Sequence, residues 1–236
     1  MDELEEVDKL LLRRILNAPL SASIESLYLE LGLTPIHIIV KARRVKYLHY
    51  LVNLDESEML NRVFQAQWKY PVKDDWTITV KQDLIDLKIN LSLEEMKGKS
   101  DWSFKKLVKI KTKEYALEYL LNIKQKHSKM DNLKYVELKT QNYLKDGKIT
   151  VKEAQNVYKY RTRVAKFKEN MKSSYLSTAC PLCCVQLDTQ VHSLQCTVIK
   201  ENILVEGNYD DIYSENIPQN ISKTLLRITK FREEYF

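Results

Sequence analysis

CPLCCVQLDTQVHSLQC, residues 180–196, contains all four cysteines of the 236-residue chain and one of its four histidines. This concentration constrains the fold more than any other feature, because a shared ion would fix the chain path there whatever surrounds it. The ligand spacing is C-x2-C-x8-H-x3-C, through Cys180, Cys183, His192 and Cys196. Two thiolates three residues apart can grip one ion from a tight knuckle, here stiffened by Pro181. A His and a Cys four residues apart can do so from one face of a helical turn. Four N/S donors form a closed tetrahedral site for one structural Zn2+, with no open position for a catalytic water. Cys184 is a spare thiol that could replace Cys183 in register. The competing readings are incidental buried cysteines and a C-x-x-C redox pair, which here lacks a βαβ context.

The redox setting bears on this choice. The chain opens with the acidic MDELEEVDKLLLRRIL, lacks an apolar signal-peptide core, and has no run near the ~20 apolar residues that span a bilayer. An intracellular location, cytoplasmic or nuclear, with no membrane partner is therefore expected. Thiols stay reduced there, which favours metal ligation over disulfides.

Only four Gly and five Pro, with 30% charged residues, describe a helical chain and not a sandwich of strands. Leu4, Val7, Leu10, Leu11 and Ile15 recur at helical spacing over 3–17. A second helix restarts near Ser23 and stops before Gly32. Thr34 and Pro35 open a third, with Ile36, Ile39, Val40, Leu48 and Leu51 toward a core and Lys41, Arg43, Arg44 and Lys46 on the other side. Further helices are expected over about 56–68, from Asp75 despite the β-branched Thr77-Ile78-Thr79-Val80, and over 102–126. Ser92 with Glu95, and Thr150 with Glu153, have the spacing of capping boxes. Helices are also expected from Asp131 to Asp146-Gly147, from Thr150 through about Met171, and at the C-terminal end through Ile221, Leu225, Leu226, Ile228 and Phe231.

Charge is unevenly distributed. Between Asp101 and Lys172 there are 19 Lys and Arg against 8 Asp and Glu, although the whole chain carries only +6. A polycationic middle implies a polyanionic partner, and nucleic acid suits it better than a membrane, because no basic stretch has a strongly apolar lipid-facing side. In YKYRTRVAKFKENMKSSY, Lys159, Arg161, Arg163, Lys166, Lys168 and Lys172 are interleaved with Tyr158, Tyr160, Phe167 and Tyr175. Cations neutralise phosphates and rings stack on unpaired bases, so Tyr158, Lys159, Arg161, Arg163, Lys166, Lys168 and Lys172 are the candidate contacts to single-stranded RNA or DNA. The alternative is an amphipathic helix with core aromatics and solvated cations. A second run, with Lys105, Lys106, Lys109 and Lys113, is read as a solvated face. His37, His49 and His127 have no ligand or carboxylate in register and are read as packing or surface residues.

Catalytic signatures are missing from the sequence. There is no P-loop, G-x-S-x-G, H-E-x-x-H or G-x-G-x-x-G. Tyr209-Asp210-Asp211 superficially follows the polymerase metal turn, but position 208 is Asn and the flanks are polar. A non-enzyme is expected.

Three blocks, in order, resemble the C-terminal portion of a non-LTR (LINE-type) retrotransposon reverse transcriptase. Residues 7–53 are similar to the helical thumb-like region after the polymerase palm. VFQAQWKYPVKDDW, 63–76, is similar to the segment that follows it, and 160–196 resembles an arginine-containing helix followed by a Cys-Cys-His-Cys knuckle. The resemblance implies zinc ligands at Cys180, Cys183, His192 and Cys196 and nucleic-acid contacts at Arg161 and Arg163. The fingers, the catalytic palm and any endonuclease lie outside the resemblance, which implies binding without polymerisation and a polymerase palm and fingers as a further partner.

The expected architecture is all-α, an irregular multi-helix bundle with a small C-terminal zinc-knuckle module. It divides into a thumb-like region (1–90), a basic helical region (91–172) and the knuckle with its closing helix (173–236). Two other functions fit the same features: a zinc-stapled protein-interaction module, and a retroelement relic without selected function.

Overall fold

The computed structural model describes residues 2–73, 75–125, 130–171 and 177–235. The expectations placed on Lys126, His127, Lys172 and Tyr175 lie outside the described residues. Among the described residues the fold is all-α, with eleven α-helices and one isolated β-bridge, Ala179 to Leu187. None of the helices among the described residues is long and apolar enough to cross a membrane. The chain divides into two compact units, residues 1–5 with 34–119 and residues 6–33 with 120–236. That partition differs from the expected division into 1–90, 91–172 and 173–236, since residues 6–33 group with 120–236.

The first unit is built on α3 (Ile36–Val52), α4 (Met59–Lys69), α5 (Trp76–Asp86), α6 (Leu93–Lys97) and most of α7 (Asp101–Lys124). Ile38, Ala42, Val45, Leu48 and Val52 recur every three or four residues on α3 and are buried. The expected core face is rotated: Leu48 and Leu51 are buried, but Ile39 is 37% exposed. The reason lies across the interface with α5, where Arg44 makes a two-point contact to buried Asp83 at 2.6 and 2.9 Å and Lys41 reaches both Asp83 and Asp86. These ion pairs draw the basic side of α3 inward. His49 is buried and stacks on Phe104 of α7 at 4.2 Å between ring centroids. The Ser92–Glu95 capping box opens α6 as expected.

The second unit is assembled from α1 (Asp2–Leu16) beyond Glu5, α2 (Ile24–Leu31), α8 (Val151–Arg161), α9 (Gln190–Gln195), α10 (Thr197–Asn202) and α11 (Gln219–Glu233). Ser23 caps α2, accepting from the Ser26 amide, and Gly32 ends it at φ +65°. Only a residue without Cβ fits there, because an added Cβ would lie 2.1 Å from the backbone of Lys139 and Thr140.

Two expected helices are shorter than their patterns implied. Residues 131–141 are irregular and lead into a 3-10 turn, Asn142–Leu144. Their hydrogen bonds go to the end of α2 instead: the Gln141 amide donates to the Glu30 carbonyl and Thr140 Oγ1 to that of Leu31. Helix α8 starts at its Thr150–Glu153 capping box but ends at Arg161, not near Met171. Arg163 takes a left-handed conformation, φ +53°, and the amides of Arg163 and Val164 donate back to Tyr160 and Lys159. That pair of bonds is a Schellman stop, made here without glycine.

Candidate metal centre and the basic segment

The metal-ligand side chains come from two pieces of backbone. Residues 178–188 form a knuckle closed by the Cys180 amide donating to Gln186 O (2.7 Å) and the Asp188 amide to Thr178 O (2.8 Å). Inside it the Cys184 amide donates to Cys180 O, and Cys184 itself is left-handed at φ +57°. This turn brings Cys180 and Cys183 together and leaves Cys184 exposed. The second piece is α9. Thr189 caps it by accepting from the His192 amide at 3.0 Å, which places His192 in the first turn and Cys196 at the helix end, where its amide donates to His192 O.

The ligand atoms of Cys180, Cys183, His192 and Cys196 all lie within 4.8 Å of one another, and His192 Nε2 is 3.3 Å from Cys183 Sγ. With donors about 2.0–2.3 Å from an ion, a tetrahedral site has edges of about 3.3–3.8 Å, so this cluster is close to the required size. Cys180, Cys196 and His192 are buried and Cys183 is partly covered. The Val185 and Gln186 amides, aimed at the Cys183 sulfur, bring that thiol's pKa down to about 6, with His192 and Cys180 assisting. Burial pushes the Cys196 thiol up. A thiolate held by backbone amides, beside two more thiols and an imidazole nitrogen, is the donor set of a metal-binding knuckle. Of the two cysteines that spacing left open, Cys183 is the one the fold brings to the cluster.

The knuckle is fastened to its unit by a buried carboxylate. Asp188, next to the Thr189 cap, meets Arg232 of α11 through two contacts, Nη1 to Oδ1 at 2.8 Å and Nη2 to Oδ2 at 2.9 Å. The Lys168 amide also donates to Asp188, and the Arg232 guanidinium lies 4.4 Å above the Phe167 ring. The Glu169 carboxylate accepts from the Gln190 amide at the start of α9. Nothing in the local sequence signalled Asp188 or Arg232, because their partnership joins segments far apart in the chain.

Among the described residues, two of the candidate nucleic-acid contacts are buried. Tyr158 is fully buried, its hydroxyl 2.8 Å from Ser26 Oγ, and Arg161 is 4% exposed. Arg161 Nε donates to buried Glu30 at 3.1 Å, Nη1 donates to Ile212 O, and the guanidinium lies over Tyr143. Neither residue is available to a phosphate or a base, which corrects both assignments. A core aromatic and a paired core arginine share the composition of a binding helix, and only tertiary packing separates them.

The other described candidates differ in how far they are covered. Lys159 is half-buried, which lowers its ammonium pKa, and Lys168 Nζ donates to Ala179 O at the knuckle. Arg163 sits at the Schellman stop, with the Tyr213 hydroxyl beside its guanidinium. Lys166 is the one exposed candidate among the described residues of this set.

Glu30 is the centre of this region. Tyr135 and Tyr143 donate to its two carboxylate oxygens at 2.7 and 2.8 Å, and Arg161 completes the set. Burial, reinforced by the Glu30 charge, holds both phenols well above their ordinary pKa. Three donors satisfied on one buried carboxylate make a structural hub, and the irregular path of 131–144 follows from it.

No family model, curated protein or solved structure matches the chain.

Proposed function

We propose that the chain is a non-catalytic nucleic-acid-binding protein whose C-terminal knuckle is held by one structural Zn2+. The observation that carries the metal half is the convergence of Cys180, Cys183, His192 and Cys196 within 4.8 Å. Three thiolates and an imidazole suit zinc among the available divalent ions, and four protein ligands close the coordination shell against catalytic use. The nucleic-acid half rests on the excess of 19 cations over 8 acids between residues 101 and 172. On this reading the chain corresponds to the part of a non-LTR retrotransposon reverse transcriptase beyond the palm, and it acts inside the cell on single-stranded RNA or DNA.

Native mass spectrometry tests the metal. One zinc per chain is expected, lost in Cys180→Ser and kept in Cys184→Ser; metal-free parent protein would refute it. Filter binding of poly-U over a salt series tests the nucleic acid, with log affinity expected to fall linearly with log salt.

A second reading, a zinc-stapled protein-interaction module, is favoured by one feature. Val7, Leu10, Leu11 and Ile15 on α1 are each more than half exposed, although they recur at core-like spacing. A chain that retains no poly-U at any salt, but binds another protein through α1, would support this reading over the first.

A further inference from the structure

The burial of Tyr158 and Arg161 moves attention to the basic run read from sequence as a solvated face. On the first three turns of α7, Trp102, Lys106, Lys109 and Lys113 are all exposed, while Phe104, Val108 and Thr112 are buried. At 100° per residue those four exposed side chains fall within an arc of about 60°. They form one stripe about 16 Å long, which at 3.4 Å per nucleotide of a stacked strand matches roughly five nucleotides.

The carboxylates of α7 are committed elsewhere. Asp101 pairs with Lys105 at 2.7 Å, Glu114 with Lys111 at 2.8 Å and Glu118 with Lys88 at 2.7 Å. Among the described residues no carboxylate lies within ion-pair distance of Lys106, Lys109 or Lys113. Their charge faces solvent uncompensated. At the head of the stripe the Trp102 indole is 71% exposed, and Lys106 Nζ sits 4.9 Å from its ring. A solvated lysine face has no need of an indole in water. A strand of unpaired bases would use both elements, phosphates on the lysines and a base on the indole.

Building on the nucleic-acid reading above, we propose that the exposed stripe Trp102–Lys106–Lys109–Lys113 of α7 is the contact surface for single-stranded nucleic acid, in place of the α8 segment. Lys106, Lys109 and Lys113 neutralise backbone phosphates, and Trp102 stacks on one base without reading its identity. Sequence-tolerant binding follows, because every base offers a π-face to the ring.

The test uses the full zinc-loaded chain and poly-U. The triple variant Lys106→Ala, Lys109→Ala, Lys113→Ala is expected to lose at least tenfold in affinity and to flatten the salt slope by about 2, three phosphates at roughly 0.7 each. Trp102→Ala is expected to weaken binding about tenfold with the slope unchanged, since stacking releases no counterions. Trp102→Phe should keep affinity within a few-fold while abolishing the quenching of indole emission by poly-U. Circular dichroism verifies folding, and the triple Lys→Arg variant should bind like the parent.

A parent that binds poly-U while the alanine triple is unchanged in affinity and slope would overturn this surface and leave the nucleic-acid reading standing. A parent that binds no nucleic acid removes both. Polyglutamate or anionic phosphatidylserine vesicles retained as tightly as poly-U would make the stripe a general polyanion or membrane surface and would also overturn the proposal.

Discussion

Asp188 and Arg232 face each other through two contacts of 2.8 and 2.9 Å, at 0% and 5% side-chain exposure. One hydrogen bond, Nη2 to Oδ2, and a second ion-pair contact hold the guanidinium against the carboxylate. The pair ties the end of the closing helix to the residue before the cap of α9, and so to the two ligands that α9 carries. Cutting either partner leaves the other charge buried alone. Arg232→Met and Asp188→Asn are each expected to destabilise the second unit by about 3–5 kcal/mol. Urea unfolding of the metal-loaded protein measures this, and an effect below about 1 kcal/mol would show that the pair does not hold the knuckle.

The same logic applies to Glu30 and changes the meaning of an arginine mutant. Arg161→Ala is expected to cost about 3–5 kcal/mol of stability, since it strands a buried carboxylate between two phenols. Any loss of nucleic-acid affinity in that variant should track unfolding, not contact loss. Binding measured alongside circular dichroism at several temperatures separates the two. Arg161→Ala folded like the parent but unable to bind would contradict the burial of this side chain.

Buried phenols set an alkaline limit. Tyr135 and Tyr143 both have folded pKa values above the ordinary phenol value, from burial first and the Glu30 charge next. A group with a raised folded pKa contributes stability that is fully present below its unfolded pKa, about 10 for tyrosine, and is lost as pH rises toward the folded value. Their contribution is therefore expected to be complete and independent of pH near neutrality and to be lost above about pH 10. Phenolate absorbance should rise in two stages, exposed tyrosines first and the buried ones together with unfolding. Smooth titration of all tyrosines near pH 10 would contradict it.

Gly32→Ala places a methyl where the backbone of Lys139 and Thr140 passes. The left-handed conformation alone costs roughly 1–2 kcal/mol for a residue with Cβ, and the 2.1 Å approach adds to it. A fall in Tm is expected, together with protease sensitivity in 131–144, whose backbone is tied there by the Thr140 and Gln141 bonds to α2. An unchanged Tm would mean that the crossing is not made.

Local rules were readable where one segment satisfies itself. Ser23 and Gly32 bracket α2, both capping boxes form, and the four ligands at residues 180–196 converge as their spacing requires. What periodicity missed depends on partners far along the chain. Tyr135 and Tyr143 follow a helix-like spacing, yet their hydroxyls are claimed by Glu30, more than a hundred residues away in sequence, and the segment bends to reach it. Arg161 and Lys106 carry the same charge and sit among similar neighbours. Packing buries one and exposes the other, and no window of sequence contains the residue that decides.

Loop length gives the knuckle an expected order of assembly. Its four ligands lie within 17 consecutive residues, whereas Arg232 lies 44 positions beyond Asp188. Closing a short loop costs less chain entropy and happens sooner than closing a long one. Closure of the ligand cluster is therefore expected to precede the docking of α11, which would leave Asp188 hydrated until then. A chain stalled between those two events would have its ligand cluster closed while still presenting an uncovered acidic edge.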